Sequence, residues 1–296
     1  MAALAVAVIA VSTSAILVRW STAPSVVKAF YRVLFTTALL LPWALTRYRS
    51  EFRTIRGRDL FVAGLTGVAL ALHFVSWFES LRHTSVAASV TLVQSQPLFV
   101  AIGAWALLDE RLTRQMVVGI LVALAGAAAM SLGDPVLGAL GLVDAEAGLQ
   151  GTSSYGNLLA LGGAVMYAAY VLAGRSLRQR VSLVPYVVVV YVACTAVLLV
   201  IAVGQGAPLV DYRRREWLLF LGMAVGPGIF GHTVINWALA HVESGVVSVS
   251  LLGEPVGSTL LAMLLLPGEI PTPTTVVGGA VVLFGIYLTA AARGHA

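Results

Sequence analysis

Residues 184–203 read VPYVVVVYVACTAVLLVIAV and contain no charged side chain. A helix needs about 20 mostly apolar residues to cross the hydrocarbon core of a bilayer. This run has that length, and Cys194, the one cysteine of the chain, lies in its middle. The stretch therefore predicts a transmembrane helix.

Similar apolar runs recur along the whole chain. The predicted spans are residues 2–18, 26–45, 60–78, 85–107, 116–132, 155–174, 184–203, 216–238, 245–267 and 274–292. The composition agrees, since 59% of the residues are hydrophobic and 10% are charged, against roughly 45–50% and about 25% in soluble domains. The alternating pattern of a membrane β-barrel is absent from the sequence. We expect an all-α polytopic membrane protein with ten transmembrane helices.

The arginines predict the orientation of these helices. Loops on the cytoplasmic side of membrane proteins carry an excess of Lys and Arg. With the amino terminus inside, the inside segments hold 11 arginines and the outside segments hold 5. The inside arginines are Arg47, Arg49, Arg53, Arg56, Arg58, Arg111, Arg114, Arg175, Arg178, Arg180 and Arg293, and the outside ones are Arg19, Arg82, Arg213, Arg214 and Arg215. We expect a plasma-membrane protein with both termini in the cytoplasm.

Two halves of the chain resemble each other. The pairs that share an offset of 158 residues are Leu81 and Leu239, His83 and His241, and Pro97 and Pro255, and Gly119 matches Gly278 at 159. We therefore divide the chain into a first repeat over 1–132, an extracellular linker over 133–154 and a second repeat over 155–296. Because each repeat has five spans, an odd number, the second repeat enters the membrane from the opposite side. Inverted repeats of this kind are a recurrent plan of secondary transporters.

Glu254 is the first candidate site residue. It lies about ten residues into the predicted span 245–267, where a charged side chain costs about 2.5–3.5 kcal/mol on insertion scales. Pro255 removes a helix hydrogen bond beside it, and Gly253 and Gly257 permit close helix approach or local unwinding. We expect Glu254 to bind substrate or a coupling ion; the alternative is a structural carboxylate held by a neighbouring helix.

Span two contains two cations on one helix face, Lys28 and Arg32. Lys28 is near the start of the span, so we expect its side chain to reach the membrane interface. Arg32 is deeper and keeps its proton. It needs a permanent acceptor, which could be Glu254, a helix carboxyl terminus or an anionic substrate, so anchoring and substrate binding both remain open.

Gln96 and Pro97 in span four are the repeat counterparts of Glu254 and Pro255. Polar residues share one face of each helix, namely Ser85, Ser89 and Gln96 in span four and Ser250, Glu254 and Ser258 in span nine. Two facing stripes with proline breaks predict a central cavity between the halves. Individual serines are also common packing residues in membrane helices.

Span three and span eight supply the remaining candidates. His73 and His232 occupy matching places and could relay protons, although such histidines are more often interhelical hydrogen-bond partners. Trp77 and Asn236 are further candidate substrate contacts, and Pro227 lies between two glycines as a hinge in span eight.

Missing motifs narrow the function. The sequence has no GxxxxGK[ST], HExxH, GxSxG or CxxC motif and no basic face for nucleic acid. We therefore expect no cofactor, no metal and no nucleic-acid partner. A membrane-embedded enzyme or sensor remains the alternative to a transporter, with His73, His83, His232, His241, Glu79 and Glu243 as its candidate metal or catalytic residues.

Several segments in this order resemble the drug/metabolite transporter superfamily, in its EamA-like form with two repeats. They are residues 30–32 (FYR), 73–77 (HFVSW), 80–81 (SL), 84–87 (TSVA), 96–99 (QPLF), 109–112 (DERL) with Gly119, 254–255 (EP) and 267–269 (PGE). The resemblance covers nearly the whole chain. It implies secondary transport of metabolites, amino acids or drug-like compounds, often as export, through a central cavity between the halves.

We therefore expect a small-molecule transporter that works by alternating access in the lipid bilayer, with protons as a possible coupling ion. Glu254 would contact substrate or a proton, and Pro97 and Pro255 would let each half move. The repeats differ at Gln96 and Glu254, so the predicted cavity has a carboxylate on one side only.

Overall fold

A computed structural model of the chain describes residues 2–108, 110–139, 154–177, 180–234 and 250–293. The helices are α1 (Ala2–Trp20), α2 (Ser25–Arg47), α3 (Arg49–Thr54), α4 (Gly57–His83), α5 (Val86–Val93), α6 (Gln96–Leu108), α7 (Arg114–Ala139), α8 (Ser154–Leu177), α9 (Leu183–Gly204), α10 (Arg214–Met223), α11 (Gly253–Leu265) and α12 (Pro273–Arg293). A π-helix, Ala224–Thr233, follows α10 directly.

Eight segments within the described ranges are long and apolar enough to cross a bilayer. Seven are single helices, α1, α2, α4, α7, α8, α9 and α12, and the eighth, Val86–Leu108, joins α5 and α6. Predicted spans eight and nine correspond to α10 with the π-helix and to the shorter α11. Their meeting region, residues 235–249, lies outside the described residues. The predicted all-α polytopic fold is confirmed.

The ends of the helices gather on two opposite faces. One, which we call the Arg19 face, joins the helix ends near residues 20–25, 83–86, 154–157, 204–216 and 266–273 through contacts such as Thr84 Oγ1 donating to Asn157 Oδ1 at 2.9 Å. The other, the Arg180 face, joins those near 47–59, 110–114 and 175–183, where Arg175 pairs with Glu110 at 2.6 Å. Successive spans run in opposite directions between these two faces.

The helix pairs repeat under exchange of the two halves. Helix α4 packs against α8 and α9, as the π-helix packs against α1 and α2. Helix α11 packs against α1, as the pair α5 and α6 packs against α8, while α7 packs along α12. Each pairing in this series has its counterpart in the other half, so the fold consists of two inverted five-helix repeats.

Glycines permit a close contact between the repeats, where α7 crosses α12. A Cβ added to Gly285 would lie 2.5 Å from the carbonyl oxygen of Gly119, and one added to Gly126 would lie 2.7 Å from that of Gly278. Both distances are far inside van der Waals contact, so no larger side chain fits without moving a helix. Helix α7 also continues past residue 132 to Ala139, into the stretch expected to be linker.

Candidate functional site

Two broken spans face each other near the middle of the fold. Helix α5 ends at Val93, and a turn precedes α6, which has Pro97 as its second residue. Helix α11 begins at Gly253 after a turn, with Pro255 in its first turn. A proline cannot donate to the carbonyl four residues earlier, so each break follows from the proline beside it. Each second half-helix starts inside the fold with a polar residue in its first turn.

Glu254 occupies the first turn of α11, where the positive end of the helix dipole favours a carboxylate. Its side chain is 8% exposed. Gln94 Nε2 donates to Glu254 Oε2, and Gln96 Nε2 donates to Gln94 Oε1 at 3.0 Å. The two helix breaks are therefore joined by a short chain of hydrogen bonds that ends on the carboxylate.

Arg32 is buried close to this carboxylate, with 2% of its surface exposed. Its Nη1 donates to Ser14 Oγ at 2.8 Å, and its guanidinium lies 4.7 Å from the Phe74 ring centre and 5.8 Å from that of Trp77. Aromatic faces attract cations electrostatically. The guanidinium therefore lies behind the aromatic rings of Phe74 and Trp77.

His73 extends the same wall along α4. Its Nδ1 donates to the carbonyl oxygen of Gly163 at 2.9 Å, and its ring centre lies 4.9 Å from that of Tyr167 on α8. Because the carbonyl can only accept, the Nδ1 atom carries a proton. The ring is thus fixed between two helices of opposite repeats.

These side chains enclose a cavity of about 50 Å³. Its walls are His73, Phe74 and Trp77 from α4, Val93, Gln94 and Gln96 at the break in span four, Tyr167 from α8, and Glu254. A buried water needs roughly 10–15 Å³ of such volume, whereas ligand pockets are typically about 300–1,000 Å³. The cavity has room for a few waters, so a metabolite would enter only after the helices move apart.

Trp77, a residue of the cavity wall, has a buried donor without a partner. The side chain is 5% exposed, and its Nε1 has no hydrogen-bond partner among the described residues. Leaving such a buried donor unpaired costs about 1–3 kcal/mol. A ligand oxygen in the cavity would supply the missing acceptor.

Of the predicted site residues, Glu254, Gln96, His73 and Trp77 line this cavity and Arg32 lies behind it. Ser89 does not reach the cavity, because its fully buried hydroxyl lies 2.5 Å from that of Ser80.

The other serines of the predicted stripes are also used locally. Ser85 Oγ accepts from Ala88 N as the amino-terminal cap of α5, and Ser258 donates to the carbonyl oxygen of Ser12. Ser hydroxyls readily bond nearby backbone groups. Serines of the two stripes therefore cap a helix or join two helices, and they do not line the cavity.

Gly253 and Gly257 face α1, where added Cβ atoms would meet Val8 and Ser12. Both glycines therefore permit close packing beside the break. Pro227 lies within the π-helix, and Thr36 Oγ1, which donates to the carbonyl oxygen of Arg32 at 2.7 Å, lies 3.3 Å from that of Ala224 at its start. Asn236 and the side chain of His232 lie outside the described residues.

The sequence reading missed Gln94, Phe74 and Tyr167. Gln94 precedes Pro97 by only three residues, so its polarity next to a helix break was an available signal. Phe74 and Tyr167 carry no such signal, because aromatic residues are frequent throughout membrane helices. Among the residues that the structure describes, no group of three His, Cys, Asp or Glu side chains could hold a metal ion.

A sequence model described as "EamA-like transporter family" matches residues 1–132 and 154–291. The chain belongs to the EamA-like transporter family. The match spans most of the chain, so this EamA-like protein is a multi-pass membrane transporter, and the predicted membership of the drug/metabolite transporter superfamily is confirmed.

Relatives of this EamA-like transporter are similar over most of their length. An uncharacterized transporter of Archaeoglobus fulgidus is 24% identical, over 89% of this chain and 86% of its own. A pseudopaline exporter of Pseudomonas aeruginosa is 26% identical, over 89% and 85%. A probable terminal-alkyne amino-acid exporter of Streptantibioticus cattleyicolor is 26% identical, over 80% and 75%.

A solved structure, described only as the crystal structure of a protein, has the same fold. It superposes with a TM-score of 0.63 at 22% sequence identity, over 97% of this chain and 95% of its own.

Proposed function

We propose that this transporter exports small zwitterionic metabolites of the amino-acid class by alternating access through the central cavity. The observation that carries the proposal is the pairing of two opposite features in one cavity wall. Glu254 offers a carboxylate for an ammonium group, and the unpaired Nε1–H of Trp77 offers a donor for a carboxylate oxygen. Arg32 behind the aromatic wall adds positive charge on the donor side.

The small volume of the cavity supports alternating access. Its size requires the surrounding helices to separate before a metabolite can enter, and the helix breaks beside Pro97 and Pro255 are where the described spans are weakest. Inverted repeats allow one set of contacts to open toward either face. We propose that the Arg180 face is cytoplasmic in the plasma membrane, since it carries most of the arginines, and that protons are the coupling ion.

Transport by purified protein in proteoliposomes tests the substrate class. Radiolabelled neutral amino acids are expected to exchange across the membrane. Their N-acetyl derivatives, which lack the ammonium group, and the matching amines, which lack the carboxylate, are expected to compete at least about tenfold less well, because each loses one charge-assisted hydrogen bond. Competition by the N-acetyl derivative or the amine as strong as that by the amino acid would overturn the proposal, as would the absence of any amino-acid flux.

The Trp77→Phe variant isolates the donor. Phenylalanine keeps an aromatic wall next to Arg32 but removes Nε1–H, so the affinity for substrate is expected to fall roughly 2- to 12-fold, the value of one net hydrogen bond of about 0.5–1.5 kcal/mol. Competition binding or transport KM measures this change.

Trp105→Phe is the matched control. Trp105 is on α6 of the same repeat and is an exposed apolar residue, so its substitution should leave the affinity unchanged. Wild-type affinity in Trp77→Phe would contradict the role given to the indole.

A further inference from the structure

A second pocket, of about 370 Å³, opens on the Arg19 face beside the start of α2. The charged residues in its lining are Arg19, Lys28 and Arg82, and its described lining contains no carboxylate. The rest of the wall comes from the loop at residues 21–24 and from Val18 and Leu81. All charged side chains in the described lining are therefore basic.

Three carboxylates lie near this pocket and pair with two of its cations or with the loop that forms its wall. Glu269 pairs with Arg19 and accepts from the backbone nitrogen of Val86. Glu216 accepts from Ser21 Oγ at 2.5 Å and from the hydroxyl and backbone nitrogen of Thr22.

Glu79 lies 3.3 Å from Arg82 and 3.1 Å from His83. These acidic groups hold the walls in place, but none of the three lines the pocket.

Lys28 is the cation that these neighbours leave least satisfied. Its side chain turns toward α1, and the residue is only 3% exposed. Its Nζ donates to the carbonyl oxygen of Val18 at 2.9 Å. An ammonium has three donors, and a buried charge is costly unless it is paired.

The amino terminus of α2 contributes to the same wall. Its cap position is Pro24, which makes no side-chain capping hydrogen bond. The first N–H groups of a helix have no partner within the helix, and the positive end of the helix dipole lies there. The buried Lys28 and the cap residue Pro24 therefore line one pocket.

We propose that this pocket is a second binding site, for an anionic group with carboxylate or phosphate chemistry, distinct from the central cavity. Lys28 and Arg32 are four residues apart on α2, about 6 Å along the helix axis. An anion held at Lys28 is therefore one helical turn from the guanidinium behind the central cavity. Binding there does not depend on the proposed substrate class and is measured without transport.

Thermal unfolding of the full-length protein in detergent tests the site, with inorganic phosphate and acetate as probes and chloride at equal ionic strength as reference. Phosphate is expected to raise Tm saturably, because a ligand that binds only the folded state stabilises it. Lys28→Met and Arg82→Gln should each weaken phosphate binding and so raise the half-saturating phosphate concentration about tenfold or more. Arg82 is largely exposed, so its variant tests the pocket even if the buried Lys28 variant fails to fold.

Two further variants make the result specific. Arg214→Gln removes an exposed cation from the same face outside the pocket, and it should keep the wild-type response. Glu254→Gln should also keep it, which separates this site from the central cavity. A response that is the same in wild type, Lys28→Met and Arg82→Gln, or no response in wild type, would overturn the proposal.

Nanodiscs distinguish a soluble anion from a lipid headgroup. In phosphatidylcholine discs, the phosphate response is expected in either case. If the response disappears on addition of phosphatidylglycerol, the site takes the lipid phosphate; if it persists, it takes a soluble anion. Both outcomes support an anion site, provided that the Lys28→Met response is weakened in the phosphatidylcholine discs.

Discussion

The Glu254→Gln variant is expected to lose nearly all transport while remaining folded. Glutamine has the same shape, and its carbonyl oxygen can still accept from Gln94, so the hydrogen bonds that join the two helix breaks persist. What disappears is the negative charge in the cavity wall. Hydrogen bonds to charged groups contribute about 1.5–3 kcal/mol, so flux at subsaturating substrate should fall roughly 10- to 150-fold in proteoliposomes.

Glu110→Gln provides the matched control for this variant. Glu110 is an exposed carboxylate that pairs with Arg175 on the Arg180 face, and such surface pairs contribute about 0–1 kcal/mol. Its flux should remain close to that of the wild type. If Glu254→Gln transports at the wild-type rate with unchanged pH dependence, Glu254 is a structural carboxylate and neither substrate nor proton binds it.

The Gly285→Ala variant is expected to have the largest effect on stability. Its new Cβ would lie 2.5 Å from both the carbonyl oxygen of Gly119 and the backbone nitrogen of Ala123. Backbone atoms cannot move aside as a flexible side chain can, so α7 and α12 must separate along part of their contact. Overpacking of this kind typically costs about 1–3 kcal/mol, and a lower Tm of the purified protein would report it.

The same substitution at Gly64 gives the opposite expectation. A Cβ at Gly64 on α4 would meet no atom within 4 Å, and alanine favours a helix by up to about 1 kcal/mol over glycine. Tm should rise slightly in Gly64→Ala. Equal shifts in the two variants would show that the distance across the α7–α12 contact does not limit stability.

Apolar run length was enough to predict most of the spans, because a bilayer imposes the same length and polarity on every crossing. It could not predict how span eight continues. There, Pro227 between two glycines lies in a π-helix, and Thr36 on α2, a residue distant in sequence, contacts the first carbonyl oxygen of that helix.

The centre of the site followed from the repeat, since Gln96 and Glu254 stand beside matching prolines. The repeat did not predict which residue would bond Glu254. At the break in span four, Gln94 donates to the carboxylate, and Gln96 donates to Gln94 instead. Trp77 was predicted from its position in span three. The sequence could not show that its Nε1 atom would find no acceptor among the described residues. The sequence also did not show that Lys28 Nζ would donate to the carbonyl oxygen of Val18 on α1, which lies 2.9 Å away.

The crossing of α7 and α12 has a consequence for the origin of the chain. Gly119 and Gly278 are 159 residues apart, as are Gly126 and Gly285. Gly119 touches the equivalent of Gly126, and Gly126 touches the equivalent of Gly119. That reciprocity defines an isologous interface, the kind that two identical subunits form about a twofold axis. Two copies of a single five-helix chain, inserted in opposite directions, would make the same contact without any linker, so joining them end to end would require no new interface.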